Sequence, residues 1–502
     1  MAERGERWSD DVEFPESGEF AYRPGDVLVP SADEGEAEEW LGRRQPSREG
    51  GKRSIENTTF TQFPNVEDPL IIIGELRARG IAAQPNHVLF SHCLCCGCGP
   101  HPSVFSSGSY AGLWAYPFGA NPFGANPFGA NPFGANPFGA NPFGANPFGA
   151  NPFGANPFGA NPFGANPFGA NPEAAETVAT SPTSLVAPGR AGRESTAFRA
   201  TGLRRHSARP AERPLLPGLP PSGETGFAAS GAGRIVVVDT GIAMADDLRP
   251  AALPDIVSGP VSGLPSPVDT GNAIGPAEVP DDDPADGSLD FAAGHGTFIA
   301  GLIDRIVPGT PIEVYGLLNG RGDANELDIV ATLNDLTRQT APALVNLSFG
   351  GYTLVHMGVL AEAVRNLQKQ GTVVVASAGN DATCRPSYPA AFPGVVSVGA
   401  LGPNGPASFT NYGPWVRACA PGVDVVSSFF AGPGTSDTEL REWVRWSGTS
   451  FAAPAVVGAL ARAMGDGKFT APVAVERVID DPGLFRFPGL GTVVNQTPWF
   501  MR

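Results

Sequence analysis

Fifty consecutive residues of this chain cannot join a hydrophobic core. The unit NPFGA occurs ten times without interruption from Asn121 to Ala170. A variant copy, Tyr116 to Ala120, precedes the run, and Asn171-Pro172 begins an unfinished one. A period of five matches neither a helix face nor a strand face. Each unit also contains a proline and a glycine, so neither a helix nor a strand ladder continues through it. The stretch therefore reads as a flexible or turn-rich spacer. The alternative is a self-associating segment, because aromatic-spaced polar tracts can condense. What the spacer separates decides between the two.

The 65 glycines and 52 prolines are concentrated enough in the first half that the folded part must be much shorter than 502 residues. The formal charge is −17, from 33 basic and 50 acidic residues, which argues against nucleic acid as a partner. No apolar run approaches the roughly 20 residues needed to span a membrane. The start, MAERGERWSDDVEF, has no apolar segment after its basic residues and so does not read as a secretory signal. The expected compartment is cytoplasmic by default, with export by a non-classical route as the alternative.

Four segments follow from composition and periodicity. Residues 1–18 are polar and acidic and read as a disordered tail. Residues 19–92 read as a small α+β domain, in the order strand, helix, variable middle, helix, strand. Its strands are Gly25 to Pro30 and Pro85 to His92; its helices are Ser31 to Arg44 and Glu67 to Gly80. Asp68 is expected to cap the second helix and Pro69 to occupy its first turn. Residues 93–230 show no core pattern. They hold a Cys cluster, the repeat and a Pro/Ala/Arg linker, whose basic part, Phe198 to Pro214, reads as a solvated linker or as a cleavage or docking segment. From residue 231 to 502 the pattern is that of a packed α/β domain. RIVVVDTG, PALVNLSFGG and GTVVVASAGN are continuous apolar runs, as strands buried on both faces require. An amphipathic helix, Val359 to Gly371, lies between the last two, so the sheet is expected to be mostly parallel.

Six cysteines are present. Cys93, Cys95, Cys96 and Cys98 lie between His92 and His101. Thiolates and imidazoles suit zinc, but adjacent cysteines strain a tetrahedral site and no second knuckle follows. Unpaired thiols in a loop are the expectation. Cys384 and Cys419 stand apart; they could pair, although a chain without a secretory signal would keep them reduced.

Three polar residues end the apolar elements of the α/β region. Asp239 closes VVVD, His295 opens a helix in GHGTFIAGLI, and Ser450 opens another in SGTSFAAPAVVGALARAM. Singly, each is an ordinary cap or loop residue. Together they supply what acyl transfer needs. A serine hydroxyl requires a base, and histidine titrates in the right range. A buried carboxylate fixes the imidazole tautomer and stabilises its cation. A serine at a helix N-terminus has free N–H groups beside it for a developing oxyanion. Asn380, at the end of VVVASAGN, offers a further neutral donor.

At this point the chain resembles a known family. VVVDTG, GHGTFIAGLI, VASAGND and SGTSFAAPA are similar to the four signature segments of the subtilases, the subtilisin-like serine proteases, and occur in their order. The resemblance spans about Arg234 to Asn495. It implies a three-layer α/β fold with a mostly parallel central sheet. It also implies Asp239 as the residue that orients the base, His295 as general base and acid, and Ser450 as nucleophile. Asn380 and the Ser450 backbone N–H would hold the oxyanion. Ser348, Phe349 and Gly350 would line the cleft and pair with substrate backbone. Ser377, Ala378 and Gly379 would form the opposite wall of the pocket for the side chain before the scissile bond. Phe298 stands where the family often has a second, non-catalytic histidine. No cofactor is required. Calcium, common in the family, would have to use Asp281, Asp282, Asp283 and Asp286, which lack a recognisable loop geometry and read as an acidic surface loop.

The N-terminal α+β domain is similar in element order to the inhibitory propeptide of subtilases, a ferredoxin-like fold. That resemblance implies an intramolecular inhibitor whose last strand, Asn86 to His92, leads a tail into the cleft. An unrelated recruiting domain is the competing reading. A disordered repeat linker of about 140 residues has an end-to-end distance of roughly 65 Å, long enough for docking and release. Self-cleavage is expected in the unpatterned stretch between Glu173 and Ser230. The expected partners are protein or peptide substrates. The function expected is serine endopeptidase, with a maturation protease dedicated to one partner protein, or a non-catalytic self-associating scaffold, as alternatives.

Overall fold

The computed structural model describes residues 12–13, 15, 20–92, 208–211, 233–243, 256–258, 289–429, 442–465 and 467–494. The repeat, the Cys93–Cys98 cluster, the Asp281–Asp286 loop and the Glu173–Ser230 stretch except Ala208 to Ala211 lie outside them.

Ile235, Val236, Val237 and Val238 are all buried, but they face opposite ways. Ile235 and Val237 join a core with Ile303 and Val456, whereas Val236 and Val238 join one with Leu333 and Val364. A strand with no polar face needs helices on both sides, and the chain supplies them. The central strands are β6 (Ile235–Asp239), β8 (Ile312–Gly316), β10 (Leu344–Leu347), β12 (Val373–Ser377), β13 (Val396–Gly402) and β15 (Ala418–Pro421). Along the sheet they run in the order β15-β13-β12-β10-β6-β8, and every adjacent pair is parallel. Helices His295–Ile306 and Thr449–Met464 pack on one face; Glu326–Arg338 and Gly358–Lys369 pack on the other. The expected mostly parallel α/β sheet is therefore present.

The N-terminal residues build a second sheet. Strand β1 (Ala21–Pro30) pairs antiparallel with β3 (Phe60–Phe63) and with β4 (Gln84–Ser91). Helices Glu34–Arg44 and Pro69–Ala78 bury Trp40, Leu41, Ile72, Ile73 and Leu76 against Val27, Val29 and Phe63. Asp68 does not cap the second helix as expected. It takes a left-handed φ of 49° and its side chain makes no capping bond, so Pro69 at the first helical position sets that start.

Two features differ from the sequence expectation. Strand β4 stays paired with β1 and also pairs antiparallel with β9 (Asp323–Asn325) and β11 (Phe349–Gly350) of the α/β region, so the N-terminal sheet takes in strands from both parts of the chain. In addition, Arg209–Pro210, inside the stretch read as an unpatterned linker, pairs with Trp443–Trp446, and Ala208 is buried. Adding a strand to a sheet edge uses backbone hydrogen bonds, so it leaves little periodic signal in the side chains.

Candidate active site

The carboxyl ends of β6, β10 and β12 converge, as parallel sheets place their sites. Asp239 is the last residue of β6 and is fully buried. Its Oδ1 accepts from Thr240 N–H at 2.8 Å and lies 2.6 Å from His295 Nδ1. His295 opens its helix and is buried, with Trp446 edge-on at 5.8 Å and Phe451 at 5.4 Å between ring centroids. Held in this way, the ring keeps Nδ1 toward the carboxylate. Its other nitrogen, Nε2, has no hydrogen-bond partner among the described residues. A buried nitrogen left open is costly unless it serves chemistry.

Ser450 sits in the first turn of the helix Thr449–Met464. Its hydroxyl donates to Ser348 O at 2.9 Å, not to His295 Nε2. The expected serine–histidine hydrogen bond is therefore not made in this conformation; the serine proton is parked on a backbone carbonyl. Ser348 returns the contact, since its Oγ donates to Ser450 O at 2.9 Å and itself accepts from Asn346 Nδ2 at 2.9 Å. The reason lies four residues on. Pro454 is inside the helix and has no N–H to give the Ser450 carbonyl, so a side chain satisfies it instead. A proline four places after a serine at a helix start is the sequence signal for this bond.

Asn380 follows β12. Its Oδ1 accepts from Thr449 N–H at 2.9 Å and from Thr449 Oγ1 at 2.8 Å. Two donors on Oδ1 fix the amide so that Nδ2 faces the cleft. There it donates to the carbonyl oxygen of His92 at 2.6 Å, and Ser450 N–H donates to the same oxygen at 3.2 Å. Thus the two expected oxyanion donors converge on one carbonyl, and it belongs to the residue just past β4.

The segment ending at His92 lies as an extended strand between two walls. On one side Phe90 and Ser91 pair with Gly350 and Phe349, and His92 N–H donates to Ser348 O at 3.2 Å. On the other side Val88, Leu89 and Phe90 pair with Asn325, Ala324 and Asp323, and Ser91 N–H donates to Gly322 O at 2.7 Å. The sequence singled out the first wall but missed the second. Its signal was the glycines of NGRGDAN. Gly322 has φ +82°, and a Cβ there would meet Ser91 Oγ at 2.3 Å. Of Ser377, Ala378 and Gly379, the expected opposite wall, Ser377 Oγ lies 2.7 Å from His92 Nδ1, whereas Ala378 O accepts from Asn411 Nδ2 at 2.8 Å and Gly379 N–H donates to Thr449 Oγ1 at 3.1 Å.

Among the described residues no group of three or more His, Cys, Asp or Glu could hold a metal ion. Cys384 and Cys419 are both free thiols. Burial pushes the Cys419 thiol up to about 12, so neither nucleophilic nor ligand chemistry falls to it near neutrality. No helix among the described residues is long and apolar enough to cross a membrane.

A serine, a histidine and an aspartate at the carboxyl edge of a parallel sheet form the constellation of α/β serine hydrolases. Residues 233–480 match the family model described as the subtilase family. Similar proteins include the thermophilic serine proteinase of Bacillus sp. (strain AK1), 32% identical over 211 residues, covering 39% of this chain and 48% of that protein. Subtilisin-like protease 2 of Pseudogymnoascus destructans is 31% identical over 199 residues, covering 38% and 47%. Subtilisin Savinase of Lederbergia lenta is 31% identical over 188 residues, covering 36% and 65%. The chain spans about half the length of the first two.

Proposed function

We propose that this chain is a serine endopeptidase whose N-terminal domain, residues 19–92, occupies its own cleft as an intramolecular inhibitor. One observation carries the reading: the His92 carbonyl accepts from both Asn380 Nδ2 and Ser450 N–H while the strand leading to it is paired on both sides. A peptide substrate needs that same placement. In the reaction Ser450 Oγ attacks the substrate carbonyl and gives its proton to His295 Nε2. Asp239 holds the tautomer and balances the imidazolium. Asn380 and Ser450 N–H receive the negative oxygen. Substrates are proteins or peptides, and the reaction draws on protein groups alone.

The test has two arms, both on the full chain. A fluorophosphonate probe should label the protein, and Ser450→Ala should abolish both labelling and peptide hydrolysis. For the inhibitor, docking is weakened away from the cleft. Glu362 accepts from Thr59 N–H at 2.9 Å and Thr59 Oγ1 at 2.8 Å. Glu362→Lys should raise hydrolysis of a short added peptide roughly fivefold, since exposed hydrogen bonds of this kind are worth about 1 kcal/mol net. No labelling in either the unaltered chain or the docking-weakened Glu362→Lys chain would remove the peptidase reading. Labelling with no rise in Glu362→Lys would remove the inhibitor reading alone.

A further inference from the structure

The side chain in the pocket beside Ser450 is an imidazole, and its surroundings are shaped to it. His92 is only 7% exposed. Its Nδ1 lies 2.7 Å from Ser377 Oγ, the one hydrogen bond that this hydroxyl makes among the described residues. Gly350 lies against the ring: a Cβ there would stand 2.7 Å from His92 Cε1. The same imagined Cβ would stand 2.8 Å from Ser387 Oγ, a fully buried hydroxyl without a hydrogen-bond partner among the described residues. Glycine backbone thus lies close against the ring at Gly350, and one buried hydroxyl, Ser377, pairs with the imidazole and would be left unpaired by an aliphatic side chain. A buried polar group that loses its partner discriminates strongly against the analogue that cannot supply one.

We infer that the cleft is selective for histidine on the carbonyl side of the scissile bond, read by Ser377, and that the chain's own His92–Cys93 bond is the first it cuts. This rests on the endopeptidase reading above and names its substrate class. The bond lies upstream of the Glu173–Ser230 stretch that missing pattern alone would select. The step balances without any co-reactant but water. Ser450 Oγ bonds to the His92 carbonyl carbon, and its proton passes to His295 Nε2. The carbonyl electron pair moves onto the oxygen held by Asn380 and Ser450 N–H. Collapse breaks the bond to the Cys93 nitrogen, which takes the proton from His295. Water then attacks the His92 ester and gives a proton to His295. Ser450 Oγ leaves as that proton returns to it. The products are a carboxylate at His92 and an amine at Cys93.

The experiment uses the full chain, its Ser450→Ala form and a peptide library spanning all residues at the position before the cut. Intact mass should give a fragment ending at His92, and Ser450→Ala should stay whole. The library should be cut after histidine at least tenfold more often than after leucine. Ser377→Ala should lower the ratio of kcat/KM for histidine over leucine peptides about tenfold, the worth of one hydrogen bond to a neutral group. Fluorophosphonate labelling of Ser377→Ala verifies that the site is intact. A first cut elsewhere with His92–Cys93 whole, or digestion without histidine preference, overturns the inference while the peptidase reading stands. A chain that neither labels nor cuts anything overturns both.

Discussion

Asn380 works at both ends of one amide. Oδ1 is tied down by Thr449, and only because of that does Nδ2 point at the carbonyl it would stabilise. Asn380→Ala is expected to keep fluorophosphonate labelling while kcat falls roughly 100- to 1000-fold, the range found when one such donor is removed from a related site. Unchanged turnover would exclude the oxyanion assignment. His92 makes a different prediction. In the pocket its imidazole is pushed down to about 3, first by burial and then by the nearby His295. The groups facing it are the hydroxyls of Ser377 and Ser387, the Asn380 amide, Ser450 and His295, with Asp239 behind His295. None but the last two can carry charge. A released histidine titrates near 6.5. The docked form therefore excludes the proton, so the contribution of His92 to docking is complete above about pH 6.5. It is lost as pH falls from there toward 3, by up to tenfold per unit. Hydrogen exchange at the Ser91 and His92 amides of full-length Ser450→Ala, corrected for intrinsic rates, should show that loss of protection. His92→Gln should flatten the curve between pH 6.5 and 5. An equal slope in both proteins would assign the titration elsewhere.

Strand β4 pairs with residues of both the N-terminal and the α/β parts of the chain, and its polar side chains reach farther than its backbone. Gln84 Oε1 accepts from Gly358 N–H at 2.6 Å, at the start of a helix whose own N-cap, Met357, offers no side-chain acceptor. Gln84 Nε2 donates to both carboxylate oxygens of Glu326 at 3.1 Å, and His87 Nδ1 lies 2.7 Å from Glu326 Oε2. Asn86 Oδ1 accepts from Leu327 N–H at 3.2 Å, in the first turn of the helix Glu326–Arg338. The N-terminal strand thus caps two helices of the α/β region. Gln84→Ala should speed amide exchange at Gly358 and raise peptide hydrolysis by the full chain about fivefold, as the loss of a helix cap costs about 1 kcal/mol. Exchange at Gly358 equal to that of the unaltered chain would refute the capping role. These contacts mark the limit of what could be read from residues alone. Asp239, His295, Asn380 and Ser450 sit at the ends of strongly patterned elements, so they were legible. Gln84 and His87 were read only as part of a strand, because their partner, Glu326, lies more than 200 positions away and answers to no local period. The second cleft wall at Asp323–Asn325 escaped for a similar reason. Three residues paired through their backbone leave little in a sequence but the glycines that let them approach.

At the scale of the molecule, the position of His92 changes what the cut accomplishes. The carbonyl in the cleft belongs to the last residue of the domain proposed as inhibitor, so the proposed cleavage there would leave the whole 93–230 segment attached to the catalytic half. On that proposal, before the cut the N-terminal domain and the cleft meet as parts of one chain, at an effective concentration fixed by the connecting segment. After it they are two molecules with nothing between them. Docking changes from first order to second order, and the blocked fraction comes to depend on how much protein is present. A processed stock held inactive at high concentration should gain activity over time when diluted a hundredfold, after a lag set by departure of the 1–92 fragment. Full-length protein with an uncut His92–Cys93 bond should show no such dependence. The bond would then act as a timer that starts at cleavage, runs at the rate at which the 1–92 fragment departs, and reaches an extent set by dilution.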